Sequence, residues 1–137
     1  MPEDDKESMP DQYKTVSLEE FVEYSKSMFA YWTEDDFASS FRKMLTIEQF
    51  RSEEMQGLYQ QYLSSGPAAY VKDLFESMGI AHAEENAVRF YATMYFYYSV
   101  YDGADDKEKV KNEFASTIGS MAQEWIKQPK LTQIRKS

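Results

Sequence analysis

The side chains that most often carry chemistry are scarce or poorly placed in this sequence of 137 residues. It has no cysteine, which removes thiolate nucleophiles, disulfides and cysteine-bound zinc. His82 is the single histidine. A zinc or di-iron centre needs several ligands at matched spacing, and there is no E-x-x-H pair. His82 therefore reads as a residue at the start of a helix. No serine stands in a nucleophile-elbow context, and no glycine-rich loop could cradle phosphate. Acids are plentiful, but Asp35-Asp36 and Glu53-Glu54 fall where helices begin, a position that suits the positive end of a helix dipole. The expectation is a protein that is not an enzyme and needs no metal or cofactor.

The excess lies elsewhere, in 11 tyrosines, nine phenylalanines, two tryptophans and eight methionines. Residues 90–101, FYATMYFYYSVY, are aromatic at seven of twelve positions. In all-helical domains, small-molecule sites lie between helices and are apolar with a few polar groups. The aromatics and methionines expected to face inward from the middle helices are Phe37, Phe41, Met44, Tyr59, Tyr62, Phe75, Tyr91 and Tyr95. Together they form an adaptable, amphipathic lining suited to a small planar or hydrophobic effector. A formal charge of −9 favours a neutral or cationic effector over an anionic one.

The elements that must position these residues are helices. Residues 1–16 are acidic, carry Pro2 and Pro10, and read as a flexible lead-in without the apolar core of a secretory signal. Ser17 and Glu20 form a capping box before a helix with Phe21, Val22, Met28, Phe29 and Trp32 on one face. That helix should run to about Trp32, with a second starting at Thr33. A break is expected within TIEQFRSEE, where Thr46 or Ser52 could cap a new helix. Met55, Leu58, Tyr59, Tyr62 and Leu63 then keep helical spacing up to Ser64-Ser65-Gly66. Pro67 opens the next helix, and Gly79 stops it. A long helix is predicted over 82–101, ended by Asp102-Gly103, and a last one from Asp105 or Asp106 to Lys127. The fold class is all-α, about six helices, with the helical domain over 17–128 and a basic, solvated tail over 129–137. No apolar run is long enough to span a membrane. A cytoplasmic location is expected.

The last two helices carry more apolar surface than one packing face requires. At 100° per residue, Val110, Met121, Phe114, Trp125 and Ile118 share an arc of about 80° on the final helix. Beside it lies a second stripe, mostly small: Ala115, Gly119, Ala122 and Ile126. Gly119 costs roughly 1 kcal/mol against alanine in a helix interior, and close approach of another helix would explain it. The 82–101 helix has only a narrow polar arc: His82, Asn86, Arg89 and Thr93. The expected arrangement is a homodimer in which each copy gives both helices to a four-helix bundle across a two-fold axis. Ala92, Phe96 and Ser99 would join the small stripe at that interface.

FYATMYFYYSVYDG and the helix after it resemble the C-terminal region of TetR-type transcriptional regulators. Upstream, FASSFRKMLTIEQFRSEEMQGLYQQYL resembles the preceding helices of a subgroup of that family. Thr93 stands where family members often carry proline after Phe-Tyr-Ala, so a proline kink is not implied here. The resemblance spans roughly residues 17–127. It implies an effector-binding and dimerisation domain with a TetR-like helical bundle. Operator DNA would be bound only through an N-terminal helix-turn-helix domain that this sequence does not contain. An acidic chain is repelled by phosphate backbones, in keeping with that division. The alternative is a stand-alone helical module that binds a partner protein through its aromatic face.

Overall fold

The chain in the computed structural model, described over residues 16–127, consists of six helical segments. They are α1 (Leu18–Glu34), α2 (Asp36–Glu48), α3 (Glu53–Leu63), α4 (Ser65–Ser77), α5 (Ala83–Gly103) and α6 (Lys107–Lys127). No strand occurs among the described residues, and the fold is all-α. The lead-in, apart from Val16, and the basic tail lie outside the described residues.

The starts of the helices follow local chemistry. Ser17 accepts the Glu20 amide at 3.1 Å while the Glu20 carboxylate accepts the Ser17 amide at 2.9 Å, completing the capping box. Asp35 caps α2 by accepting from the Ala38 amide at 2.9 Å, and Ser52 caps α3 by accepting from the Met55 amide at 3.1 Å. The boundary expected at Thr33 is corrected to Asp35. Thr33 is buried and its hydroxyl donates back to the Phe29 carbonyl at 2.6 Å, so it lies within α1. Gly66 sits where the first turn of α4 meets α3. A Cβ there would stand 2.1 Å from the Gln61 carbonyl oxygen, so only glycine fits. Gly79 (φ 78°) ends α4 in the left-handed region, as the sequence predicts. His82 (φ 54°) is also left-handed and precedes α5, but its side chain makes no capping hydrogen bond.

The main core is aromatic and centred on α1. Phe21 meets Phe75 of α4 (5.1 Å between ring centroids), Phe90 of α5 (5.0 Å) and Trp125 of α6 (5.9 Å). Two turns on, Phe29 stacks on Phe114 at 4.3 Å and on Tyr98 at 5.6 Å. One face of α1 thereby joins three other helices, and rings in these offset and edge-on arrangements add to the burial of their area. A smaller cluster of Leu45, Tyr59 and Leu63 seats α2 and α3 on the flank of α5. Lys111 of α6 bonds Glu34 at the end of α1 at 2.6 Å, and that contact raises the lysine's pKa.

One buried cation sets how α2 sits. Arg42 makes a bidentate pair with Asp102 at 2.7 and 3.0 Å, donates to the Trp32 carbonyl at 3.0 Å, and lies 4.9 Å from the Tyr98 ring centroid. It ties the end of α1, the middle of α2 and the end of α5 together. The two partners differ in exposure: the Arg42 side chain is 7% accessible and that of Asp102 is 30%. If orphaned, Asp102 is rehydrated far more readily than Arg42. We therefore expect Asp102→Ala, which leaves a buried unpaired guanidinium, to cost about 3–5 kcal/mol. Arg42→Met, which keeps the stem's volume, should cost only about 1–2 kcal/mol. Urea unfolding of both variants checks the order, and equal or reversed costs would contradict it.

Candidate functional site

The sequence-predicted effector residues separate into three groups. Tyr59, Tyr91 and Tyr95 come together on one wall of a cleft of about 570 Å³. The cleft runs between the α3–α4 elbow (Leu63, Ser64, Ser65, Ala68) and the outer side of α5 (Val88, Ala92, Phe96, Ser99). Phe75 is fully buried between Phe21, Phe90 and Trp125, so it belongs to the core and lines no pocket. Phe37, Phe41, Met44 and Tyr62 form a group towards the surface, with Phe37 stacked on Phe41 at 5.9 Å and Phe41 edge-on to Tyr62 at 5.5 Å. Phe37 is 72% exposed.

The displacement of Phe37 and Met44 has a physical cause. On α2 the residues buried inward are Ala38, Arg42 and Leu45. Because Arg42 is drawn inside by Asp102, Phe37 and Met44 stand about 100° or more round the helix from the inward line. They were expected to face inward; they face out. A small crevice of about 60 Å³, open to solvent beside the exposed Tyr24, Tyr62 and Tyr70, lies between α1, α3, α4 and α5 and reaches Tyr91 and Tyr98. Drug-sized pockets are roughly 300–1,000 Å³, so of these two spaces only the outer cleft is ligand-sized.

The residues proposed from sequence for an interface also divide. Ala92, Phe96, Ser99 and Ile126 are exposed, Phe96 by 60%, while Ala115 and Gly119 are half-buried. Ala122 is corrected: it is buried within the subunit, in the main core beside Ile118 and Trp125. A Cβ added at Gly119 would meet nothing within 4 Å, so no other helix of the subunit approaches it. Of the polar arc read on α5, His82 and Arg89 are exposed and Thr93 is half-buried, and only Asn86 is corrected. Asn86 is buried and donates to the Ala81 carbonyl at 2.8 Å. Glu85, Val88, Ala92, Phe96 and Ser99 are exposed beside that arc.

The tyrosines of α5 use their hydroxyls to join helices. Tyr91 donates to the Leu63 carbonyl at the end of α3, Tyr95 shares a short hydrogen bond with Tyr59, and Tyr97 meets Thr117 of α6 at 3.3 Å. Among the described residues no buried side-chain polar atom lacks a partner. Burial pushes the Tyr95 hydroxyl up to about 12, helped by its bond to Tyr59. Burial also raises Tyr91 and Tyr98 well above the ordinary tyrosine value. None of these phenols is poised to lose a proton near neutral pH, so the arrangement offers hydrogen bonds and no general base. Among the described residues no three of His, Cys, Asp or Glu are grouped to hold a metal ion, and no helix is long and apolar enough to cross a membrane. Comparison with known protein families, curated proteins and solved structures finds no match.

The raised phenol values fix the sign of an alkaline effect. Unfolded tyrosine ionises near pH 10, whereas buried Tyr91 and Tyr98 hold their protons to higher pH. Their contribution is intact below pH of about 10 and is lost as pH rises beyond it, by at most about 1.4 kcal/mol per pH unit for each. Urea midpoints should fall between pH of about 9 and about 11, with a shallower fall in Tyr98→Phe. A flat profile, or one unchanged in the variant, would contradict this.

Proposed function

We propose that this chain is a non-catalytic, self-associating sensor domain of the TetR type, which binds a small effector and pairs with a second copy through α5 and α6. In the intact regulator, operator DNA would be held by a separate helix-turn-helix domain. The observation that carries the reading is the outward face of α5. Val88 and Phe96, 53% and 60% exposed, stand in line with Ala92 and Ser99 on one of two adjacent helices of 21 residues each. Exposed apolar side chains in a row on paired long helices are what an isologous helical interface requires. Gly119 supports the same reading, because its helix-weakening cost has no explanation inside the subunit.

A second reading has its own observation. Phe37, Ile47 and Phe50, at 72%, 73% and 84% exposure, leave apolar side chains on α2 and the turn after it. A helical module that binds a partner protein without a small ligand would use that surface.

Light scattering on a sizing column separates the two. The first reading predicts twice the 16.1 kDa chain mass at micromolar concentration. Phe96→Glu should yield a folded monomer, and Phe37→Glu should leave the dimer intact. Gly119→Ala should weaken association; in a monomer it would simply raise stability by about 1 kcal/mol. A native chain that stays monomeric at every concentration overturns the self-association reading.

A further inference from the structure

We propose that the outward face of α2, with the turn after it, docks a basic amphipathic helix of a partner protein. This names the occupant of the surface behind the second reading, and it depends neither on self-association nor on a small effector.

The face is set apart by exposure. Phe37, Ile47 and Phe50 are the three most exposed large apolar side chains among the described residues. Phe37, Phe41, Met44 and Ile47 recur at i, i+4, i+7 and i+10, within an arc of about 120°. Phe37 stacks on Phe41, and Phe41 meets Tyr62 edge-on, so the apolar line continues onto α3. Arg42, held inward by Asp102, keeps this face turned outward. The face uses none of the residues through which α5 and α6 are proposed to pair.

The backbone decides the shape of the partner. With no strand among the described residues there is no sheet edge to extend, and the amides inside a helix are bonded to its own carbonyls. Side chains alone must hold the partner. Apolar anchors about one turn apart on α2 are matched by anchors at the same spacing on a second helix, the arrangement in which ridges of side chains interdigitate.

Charge decides the partner's sign. Asp35 and Asp36 are exposed at one end of the face, and Glu53 and Glu54 just beyond the other. They stand at the starts of α2 and α3, where each helix dipole offsets roughly half a unit charge, so most of the negative charge remains. Arg42 is committed to Asp102 and Arg51 bonds Glu48, which leaves Lys43 as an exposed cation of α2. A second copy of a chain with a charge of −9, or an anionic lipid surface, would bring like charge against like. Lysines or arginines flanking the apolar line of a partner helix would instead meet acids at both ends.

The test uses a fluorescein-labelled leucine–lysine peptide of amphipathic helical period, with a leucine–glutamate peptide of the same pattern as its counterpart, read by anisotropy against the full chain. The lysine peptide should bind saturably, one per chain, and the glutamate peptide about ten-fold more weakly or less tightly still. Phe37→Ser with Ile47→Ser, both at exposed positions, should weaken lysine-peptide binding by about ten-fold or more while circular dichroism stays native. Asp36→Asn with Glu53→Gln should weaken it several-fold and flatten its dependence on salt. Phe96→Ser should leave it unchanged. Lack of saturable binding, equal affinity for the two peptides, or native-like binding by the Phe37→Ser, Ile47→Ser variant would each overturn the proposal, the last by reducing it to the general attraction of an acidic chain. Two other results would give the face to a different occupant and overturn it as well: phosphatidylglycerol vesicles that bind the native chain but not this variant, or a native mass that falls in this variant but not in Phe96→Glu. The mass of the native chain is measured separately, so a monomer that binds the peptide would sink self-association alone, and a dimer that does not would sink the α2 docking face alone.

Discussion

The constraint on which the rest of this molecule depends is the composition of α5. Over residues 90–101 nearly every position is aromatic, aliphatic or small, and a helix has only so much circumference to hide. The subunit covers one side thoroughly. Phe90, Met94, Tyr98 and Tyr101 are buried against the other helices of the bundle, with α1 at their centre. What it leaves uncovered includes Val88 and Phe96: positions eight apart on a helix lie about 80° from each other, with Ala92 and Ser99 between them. Tyrosine is the residue that makes such a helix workable. Its ring fills space while its hydroxyl reaches a carbonyl, a threonine or another tyrosine on a neighbouring element, and no buried side-chain polar atom is left stranded among the described residues.

The Arg42–Asp102 pair shows how one buried charge shapes a distant surface. The guanidinium needs a carboxylate and a carbonyl before it can be buried at all. Both are supplied by the ends of other helices, Asp102 near the end of α5 and the Trp32 carbonyl near the end of α1. Satisfying them fixes the rotation of α2, sends Leu45 towards Tyr59 and Leu63, and turns Phe37 outward. The smaller cluster beneath the α3–α4 elbow is then the floor on which Tyr59 stands. An electrostatic requirement on α2 therefore helps to hold one wall of the cleft in place.

Much of the architecture was legible in residue types. Ser17-x-x-Glu20, Gly79 and the stripe from Val110 to Trp125 announced their helices, because capping and amphipathic spacing are local properties, whereas Thr46 and Ser52 stayed open as caps until the structure chose Ser52. Two of the misreadings share a cause. Thr33 is read as opening a helix and Asn86 as facing solvent, because the buried partner of a polar residue is not visible in the sequence; the partners are the Phe29 and Ala81 carbonyls. Arg42, on which the sequence places no expectation, shares the inward line of α2 with Ala38 and Leu45. The site was half visible. Tyr59, Tyr91 and Tyr95 stood out by type, but Leu63, Ser64, Ser65 and Ala68 carry no chemical signature and matter only because the backbone turns there. Phe75 was indistinguishable from a pocket residue until its four-ring environment with Phe21, Phe90 and Trp125 was seen.

The central claim is that the outward face of α5 belongs against a second copy of the chain. The absence of cysteine makes it directly testable, since one introduced cysteine carries one spin label. Labels at Arg89→Cys, at the rim of that face, and, in a separate variant, at Ser39→Cys on α2 would be compared by double electron–electron resonance. The account predicts a single narrow intermolecular distance at position 89, shorter than that at position 39. Absence of intermolecular coupling at position 89, or a shorter distance at position 39, would contradict it.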